Sequence, residues 1–244
     1  MADLTVFVDY DNVQAAHASA GAVNLGRMVV SLLPTFVLVR YTAVAVRLYG
    51  GWRSNAKLTR LAQRLIPDIR QGSPSVISIQ HEGSNISLRL TVELADKPIG
   101  ATVPLEETLV FDRDLRKFRT KAPPWQHCSN VGSCGFGTFS SVGHASACGE
   151  STCSMKLGDL LVRDEQKMVD TLIVADMAQC VHVAKASDVV VVSSDTDMWP
   201  GVLLALRAGC SVIHVHTKHG WRTQGHLMRT IANQLGRSYK QMSV

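Results

Sequence analysis

The chain has 244 residues, 46% of them apolar and 18% charged, with a net charge of +5. That length holds one large domain or two small ones with a proper core, and the composition excludes global disorder. The charge favours an anionic partner without identifying it; six cysteines in a chain with no visible export signal argue against a disulfide framework.

MADLTVFVDYDN runs straight into a strand pattern, without a basic leader or a cleavage site, so the expected location is cytoplasmic. LTVFVDYDN reads as a short buried strand ending in acids, followed by a helix over 25–33. The apolar window 29–46 approaches the length of a membrane span. Pro34 and Arg40 interrupt it, so we read a helix end, a turn and a buried strand, and expect no membrane partner. AVAVRLYGG, from Ala43, is a second strand stopped by Gly50 and Gly51. In SNAKLTRLAQRLI, Ser54 is placed as a helix cap and leucines follow at helical spacing.

The middle of the chain breaks this rhythm. From about 72 to 120, SVISIQHE and NISLRLTVEL alternate in a way that predicts β-hairpins, and 123–153 is rich in Gly, Ser and Cys. Both are read as one insertion, 72–155, in a single domain spanning 1–244. The alternation then resumes: a helix over 165–184, the strand SDVVVVSS, the helix PGVLLALRAG stopped by Gly209, the strand CSVIHVHT and the helix LMRTIANQL. Strands alternating with helices predict an α/β fold with a mostly parallel sheet flanked by helices. The unbroken valines Val189 to Val192 fit a strand covered on both faces.

In an open parallel sheet the ligand crevice lies at the carboxyl ends of the strands. Asp9 and Asp11 close the first strand, Asp195 and Asp197 close SDVVVVSS, and Asp170 sits near the start of a helix that can add another acid. Two like charges about 4 Å apart repel by about 4 kcal/mol at an effective dielectric near 20. A hard divalent cation, Mg2+ or Mn2+, is the natural remedy because both prefer oxygen ligands. Taken singly, each acid has an alternative use as a turn former or helix cap.

FVDYDN, VRLYGGW, QKMVDTLIVADM and VVSSDTDMWPGVLLALRAGCSVI, in this order along the chain, resemble successive motifs of the NYN family, the PIN-like metal-dependent ribonucleases. The resemblance implies a PIN-like, Rossmann-like fold and an endoribonuclease that hydrolyses RNA phosphodiester bonds, the RNA single-stranded, with no covalent nucleophile. By motif, Asp9 matches the first-strand acid, Asn12 the asparagine after it, Asp170 the helix acid and Asp195 the acid of the last motif. Asp197 matches the second acid of that motif, binding metal through water or capping the next helix. Asp9, Asp170 and Asp195 would hold Mg2+ or Mn2+. Asn12, Ser194 and Thr196 would orient water or phosphate. Lys167, one helical turn before Asp170, would touch a phosphate or form a charge pair with Asp170. Asp11 and Asp176 also fall within these motifs; helical spacing sets Asp176 on a different face from Asp170. Arg47 belongs to the scaffold. The competing classes are a non-catalytic RNA-binding or scaffold module of the same fold and a nuclease acting on DNA.

The insertion departs from a minimal domain of this kind. It would extend an RNA groove, form a homodimer face or dock a protein partner. Within it Cys128, Cys134, Cys148 and Cys153 follow the spacing C-x5-C-x13-C-x4-C and are assigned to a structural Zn2+, with unpaired loop cysteines as the alternative. Cys180 and Cys210 read as core residues. Arg53, Lys57, Arg60 and Arg64 are placed on one helix as a basic stripe, with Arg53 and Lys57 toward the substrate. A second basic cluster is RDLRKFRTK, Arg113 to Lys121, and a third, 218–229, contains Trp221, which can stack on an unpaired base or simply pack. His214 and His216 share one strand face and are read as sheet-face residues rather than metal ligands.

Overall fold

The structure, a computed structural model, describes residues 3–112, 163–231 and 238–244. In chain order its strands are β1 (Leu4–Asp9), β2 (Ala43–Tyr49), β3 (Arg53–Ser54), β4 (Lys57–Leu58), β5 (Ser75–His81) and β6 (Ser84–Leu94). They continue with β7 (Leu109–Asp112), β8 (Arg163–Gln166), β9 (Asp188–Val192), β10 (Ser211–His216) and β11 (Tyr239–Ser243). The chain divides into two compact units: 1–109 with 166–244, and 110–165. In the second unit the described strands β7 and β8 pair with each other.

The first unit is an α/β layer structure built on a seven-stranded sheet in the order β11-β10-β9-β1-β2-β6-β5. All neighbours pair in parallel except β5 and β6, which form an antiparallel hairpin. Side chains alternate across the pleat. Val6, Val8, Val44, Val46, Val190 and Val192 therefore enter one core layer, under the helices Ala22–Leu32 and Arg60–Gly72. Phe7, Tyr49, Val189, Val191 and Val212 enter the other, under Val169–His182 and Trp199–Arg207. Each fully buried valine or phenylalanine contributes about 1.5–3 kcal/mol relative to exposure. Two apolar faces explain why β9 is valine throughout its centre rather than alternating.

Chain direction reverses beside β1. From β1 the chain builds outward through β2 to β6, then returns to β9 on the other side of β1 and builds through β10 to β11. The carboxyl ends of β1 and β9 thus flank the switch point, where such sheets open a crevice.

Several sequence expectations are corrected here. No strand follows Pro34 directly; Thr35–Leu38 is a single helical turn and β2 begins at Ala43. Arg53 and Lys57 do not lie on a helix. They belong to the β3–β4 hairpin, whose two-residue turn, Asn55 and Ala56, has φ of 49° and 60°, the backbone a tight hairpin of matching twist requires. Thr108 and Glu106 hold this hairpin through Arg53 and Ala56. The cap of the following helix is Thr59, not Ser54. The predicted hairpin over 75–94 forms, but β6 pairs with β2 and so belongs to the main sheet; the separate unit covers 110–165. The helix expected from 165 starts at Val169, because Met168 takes a left-handed conformation at φ 63° after β8. The final helix is Gly225–Ile231, and β11 beyond it was not anticipated.

Cys128, Cys134, Cys148 and Cys153, and with them the zinc expectation, lie outside the described residues. Cys180 and Cys210 are buried core residues, as read. Among the described residues no helix is long and apolar enough to cross a membrane.

Candidate active site

The sheet register brings the acids together. Val8 of β1 sits opposite Val192 of β9, so the next residues, Asp9 and Ser193, leave their strands side by side. Asp9 is only 2% exposed. Its Oδ2 accepts hydrogen bonds from Ser193 Oγ at 2.8 Å and from the Asn12 side-chain amide. Asn12 reaches back because Tyr10–Asn12 winds into a short 3-10 turn after the strand. Burial raises the Asp9 pKa, the Ser193 and Asn12 donors oppose the rise, and Asp195 adds to it.

Asp195 follows one turn later. Its backbone N–H donates to Ser193 Oγ at 2.9 Å, and its Oδ1 accepts from the Asp197 N–H at 3.1 Å, capping the turn Thr196–Met198. The neighbouring helix, Trp199–Arg207, carries no side-chain cap, so Asp197 is not its cap. Asp197 and Thr196 are exposed at the mouth.

Asp170 enters from the opposite layer, in the first turn of Val169–His182. A helix N-terminus favours negative charge, yet the Asp170 pKa is pushed up to about 6. Burial and the neighbouring Asp9, Asp195 and Asp197 outweigh the dipole. Asp11 behaves alike. Although the residue as a whole is exposed, its carboxylate lies against Gly50 and Gly51 and accepts the Gly51 N–H at 3.0 Å. A Cβ on Gly50 would stand 2.8 Å from Asp11 Oδ2, so the glycine makes room for this acid. Burial, Asp9 and Asp170 raise Asp11 to about 6.

Three parts of the chain therefore bring five carboxylates to one crevice, and the pKa values of Asp9, Asp11 and Asp170 rise there through burial and neighbouring acids. In kind, these hard oxygen donors fit Mg2+ or Mn2+. In geometry they are still apart: among the described residues no three His, Cys, Asp or Glu side chains are gathered into a metal-holding group.

Other expected residues are placed differently. Ser194 does not face the acids. Its Oγ accepts from the Thr217 N–H at 2.9 Å, the Thr217 hydroxyl at 3.0 Å and the Lys218 N–H at 3.3 Å, fixing the chain after β10. Ser193, not Ser194, is the serine that hydrogen-bonds an acid of the crevice. Adjacent residues on a strand point to opposite faces, so the pairing of Val8 with Val192 was the signal that selects Ser193. Arg53 is engaged by Asp96 at 2.8 Å and by the Ala56 carbonyl, which makes it a clamp on the hairpin. Lys57 is exposed on β4. Lys167 lies before the helix Val169–His182 rather than on it, and its backbone N–H donates to the Thr108 carbonyl. Asp176 is 1% exposed and holds the scaffold. It accepts from Tyr49 Oη at 2.7 Å and the Ile99 N–H at 2.8 Å, and Arg47 lies 3.2 Å away. Burial keeps the Tyr49 phenol protonated, well above its usual range, so it can donate.

His214 supports the site from behind. Its Nε2 lies 2.9 Å from the Ser193 carbonyl and its Nδ1 3.0 Å from Tyr239 Oη. Burial and His216 push its pKa down to about 4, so the ring is neutral near pH 7.

No known protein family, curated protein or solved structure matches the chain.

Proposed function

We propose that the chain is a metal-dependent endoribonuclease of PIN-like fold, hydrolysing single-stranded RNA at the acidic crevice. One observation carries this reading: the switch point of the sheet collects Asp9, Asp11, Asp170, Asp195 and Asp197, and burial together with the neighbouring carboxylates raises the pKa of Asp9, Asp11 and Asp170. The resemblance of four motifs to NYN ribonucleases supports it. Asp9, Asp170 and Asp195 would hold Mg2+ or Mn2+, with Asp11 and Asp197 at the rim. Such an ion lowers the pKa of water and stabilises charge on a phosphate. Ser193 and Asn12 orient Asp9 and favour its ionised form against the burial that raises its pKa. Asp195 orders the turn that presents Thr196 and Asp197 at the entrance. The direct test is cleavage of end-labelled single-stranded RNA and DNA with Mn2+, Mg2+ or chelator. Cutting of RNA that requires the metal supports the proposal; cutting of DNA alone replaces the substrate. A second reading, a non-catalytic RNA-binding module, draws on the finding that among the described residues no three His, Cys, Asp or Glu side chains are gathered into a metal-holding group. It is favoured if well-folded protein binds RNA and cuts none.

The raised acids make a prediction about stability. Asp11 and Asp170 titrate near 6 when folded, against about 3.9 when unfolded. Between those values the folded state binds more protons, so these acids erode stability as pH rises from about 4 to about 6, and the loss then levels off. A cation should recover that loss. Adding Mn2+ is expected to raise Tm at pH 7 by several degrees, and by clearly less at pH 5. A concentration about 100 times Kd stabilises by about 2.7 kcal/mol. An equal Tm shift at both values would place the metal elsewhere.

Ser193→Ala removes a donor that favours ionised Asp9. The Asp9 pKa should rise further, and the acid limb of the cleavage-versus-pH profile should move to higher pH. An unmoved limb would show that Asp9 does not set it.

A further inference from the structure

Ser193 joins the two acid-bearing ends of the sheet. It is fully buried, and each of its polar groups is used. Its hydroxyl donates to Asp9 Oδ2 and accepts the Asp195 N–H. Its backbone bonds both go to β10: the N–H donates to the Val215 carbonyl at 3.1 Å, and the carbonyl meets His214 Nε2 at 2.9 Å. His214 is 4% exposed and in turn meets Tyr239 of the edge strand β11. A strand with no acid of its own is thus linked to the crevice through two side chains.

The direction of each bond follows from what the groups can do. The Ser193 carbonyl only accepts, so His214 Nε2 donates to it. The neutral ring then accepts at Nδ1, and Tyr239 Oη donates there at 3.0 Å. Burial pushes the Tyr239 phenol up to about 12, so it keeps its proton. With that proton committed, Tyr239 accepts from the Thr223 hydroxyl. The Thr223 N–H also donates to Gln241 Oε1 at 2.9 Å, which ties the segment after β10 to β11 a second time. From Thr223 through Tyr239, His214 and Ser193, every donor points toward Asp9. A satisfied buried run of this kind specifies one arrangement. For stability alone, apolar side chains of the same shape would serve nearly as well. They could not aim a donor at the Ser193 carbonyl.

Resting on the nuclease reading, we propose that Tyr239 is a positioning residue of the crevice: from β11 it fixes the tautomer of His214, and through it the Ser193 peptide that holds Asp9 and Asp195 in place. Without the phenol, Nδ1 has no donor and the ring proton can sit on either nitrogen. In the Nδ1–H form the Nε2 lone pair would face the Ser193 carbonyl, acceptor against acceptor. Ser193 would then shift, and the two acids bonded to its hydroxyl would shift with it.

The test compares the full chain with Tyr239→Phe and with the double variant Tyr239→Phe, His214→Gln. Phenylalanine keeps the edge-on contact with Trp199, whose ring centroid lies 5.7 Å away. Glutamine carries an amide N–H close to the place of His214 Nε2 and needs no phenol to fix it. The first readout uses neither metal nor RNA. With chelator present, NMR of the histidine ring nitrogens reports the His214 tautomer, and hydrogen exchange reports the Asp195 amide, with the core amides of β1 as the reference for global opening. Wild type should show the Nε2–H tautomer alone. Tyr239→Phe should mix in the other tautomer and speed Asp195 exchange, relative to β1, by at least about three-fold, toward the low end of what one hydrogen bond contributes. The double variant should return Asp195 to near the wild-type rate. The second readout is metal-dependent RNA cleavage, where Tyr239→Phe should lower kcat about ten-fold with KM unchanged, as loss of an outer partner of metal ligands does. Asp195 exchange that is unchanged, or that rises only as much as β1, overturns the inference. So does a double variant that exchanges as fast as Tyr239→Phe, or an unchanged kcat beside a wild type that cuts. A wild type that cuts no RNA sinks the nuclease, and exchange alone then decides whether Tyr239 positions the acids.

Discussion

Asp195→Asn is expected to lower metal-dependent RNA cleavage by about a hundred-fold or more, an effect typical of losing a preorganised electrostatic group, with the fold unchanged. The substitution is selective for charge. Asp195 uses Oδ1 to accept the Asp197 N–H, and an asparagine Oδ1 can accept the same bond. The turn Thr196–Met198 therefore stays capped, whereas alanine would remove the cap too and cost about 1 kcal/mol. Parallel cleavage and thermal-melt measurements check the result. A folded Asp195→Asn protein that cuts at the wild-type rate would remove the acidic crevice as the reaction site.

The largest expected loss of stability comes from Asp176→Ala. Asp176 accepts from Tyr49 and Ile99 and faces the Arg47 guanidinium, all in the core beside β2. Removing one partner of a buried pair costs about 3–5 kcal/mol. Arg47 keeps Glu93 and the Lys97 carbonyl, so the lower end, about 3 kcal/mol, is expected, and with it a Tm drop of roughly 6–12 °C. Urea unfolding measures it. Cleavage at low temperature should survive, since Asp176 supports the crevice without lining it. Lost cleavage with unchanged stability would move Asp176 into the reaction site.

Much of this site can be read from the chain because apolar runs end abruptly in acids. VFVD and VVVVSSD allow little other than buried strands delivering carboxylates to one edge, and the structure places Asp9 and Asp195 there. The choice between Ser193 and Ser194 was harder. It depends on where β9 ends, and a shift of one residue reverses every side chain. Asp11 was underweighted because its environment is non-local: Gly50 and Gly51, forty residues away, enclose it. Arg53 and Lys57 were misplaced because their spacing also suits a helix. Ala56 at positive φ breaks that pattern, and alanine seldom signals such a turn. β11 escaped because YKQMS carries none of the apolar run that marks a central strand; it is an edge that only its partner β10 defines.

The pairing of β7 with β8 also bears on how the protein can change. The chain leaves and re-enters through adjacent stems, so the ends of whatever lies between are already closed. Loop-closure entropy grows slowly with length, by about 0.6 kcal/mol per doubling. Growth, loss or replacement of the span between the stems is therefore a nearly neutral event for the layer that holds Asp9, Asp170 and Asp195. Lineages, or engineers, can exchange one module there for another of different length while the acids keep their places.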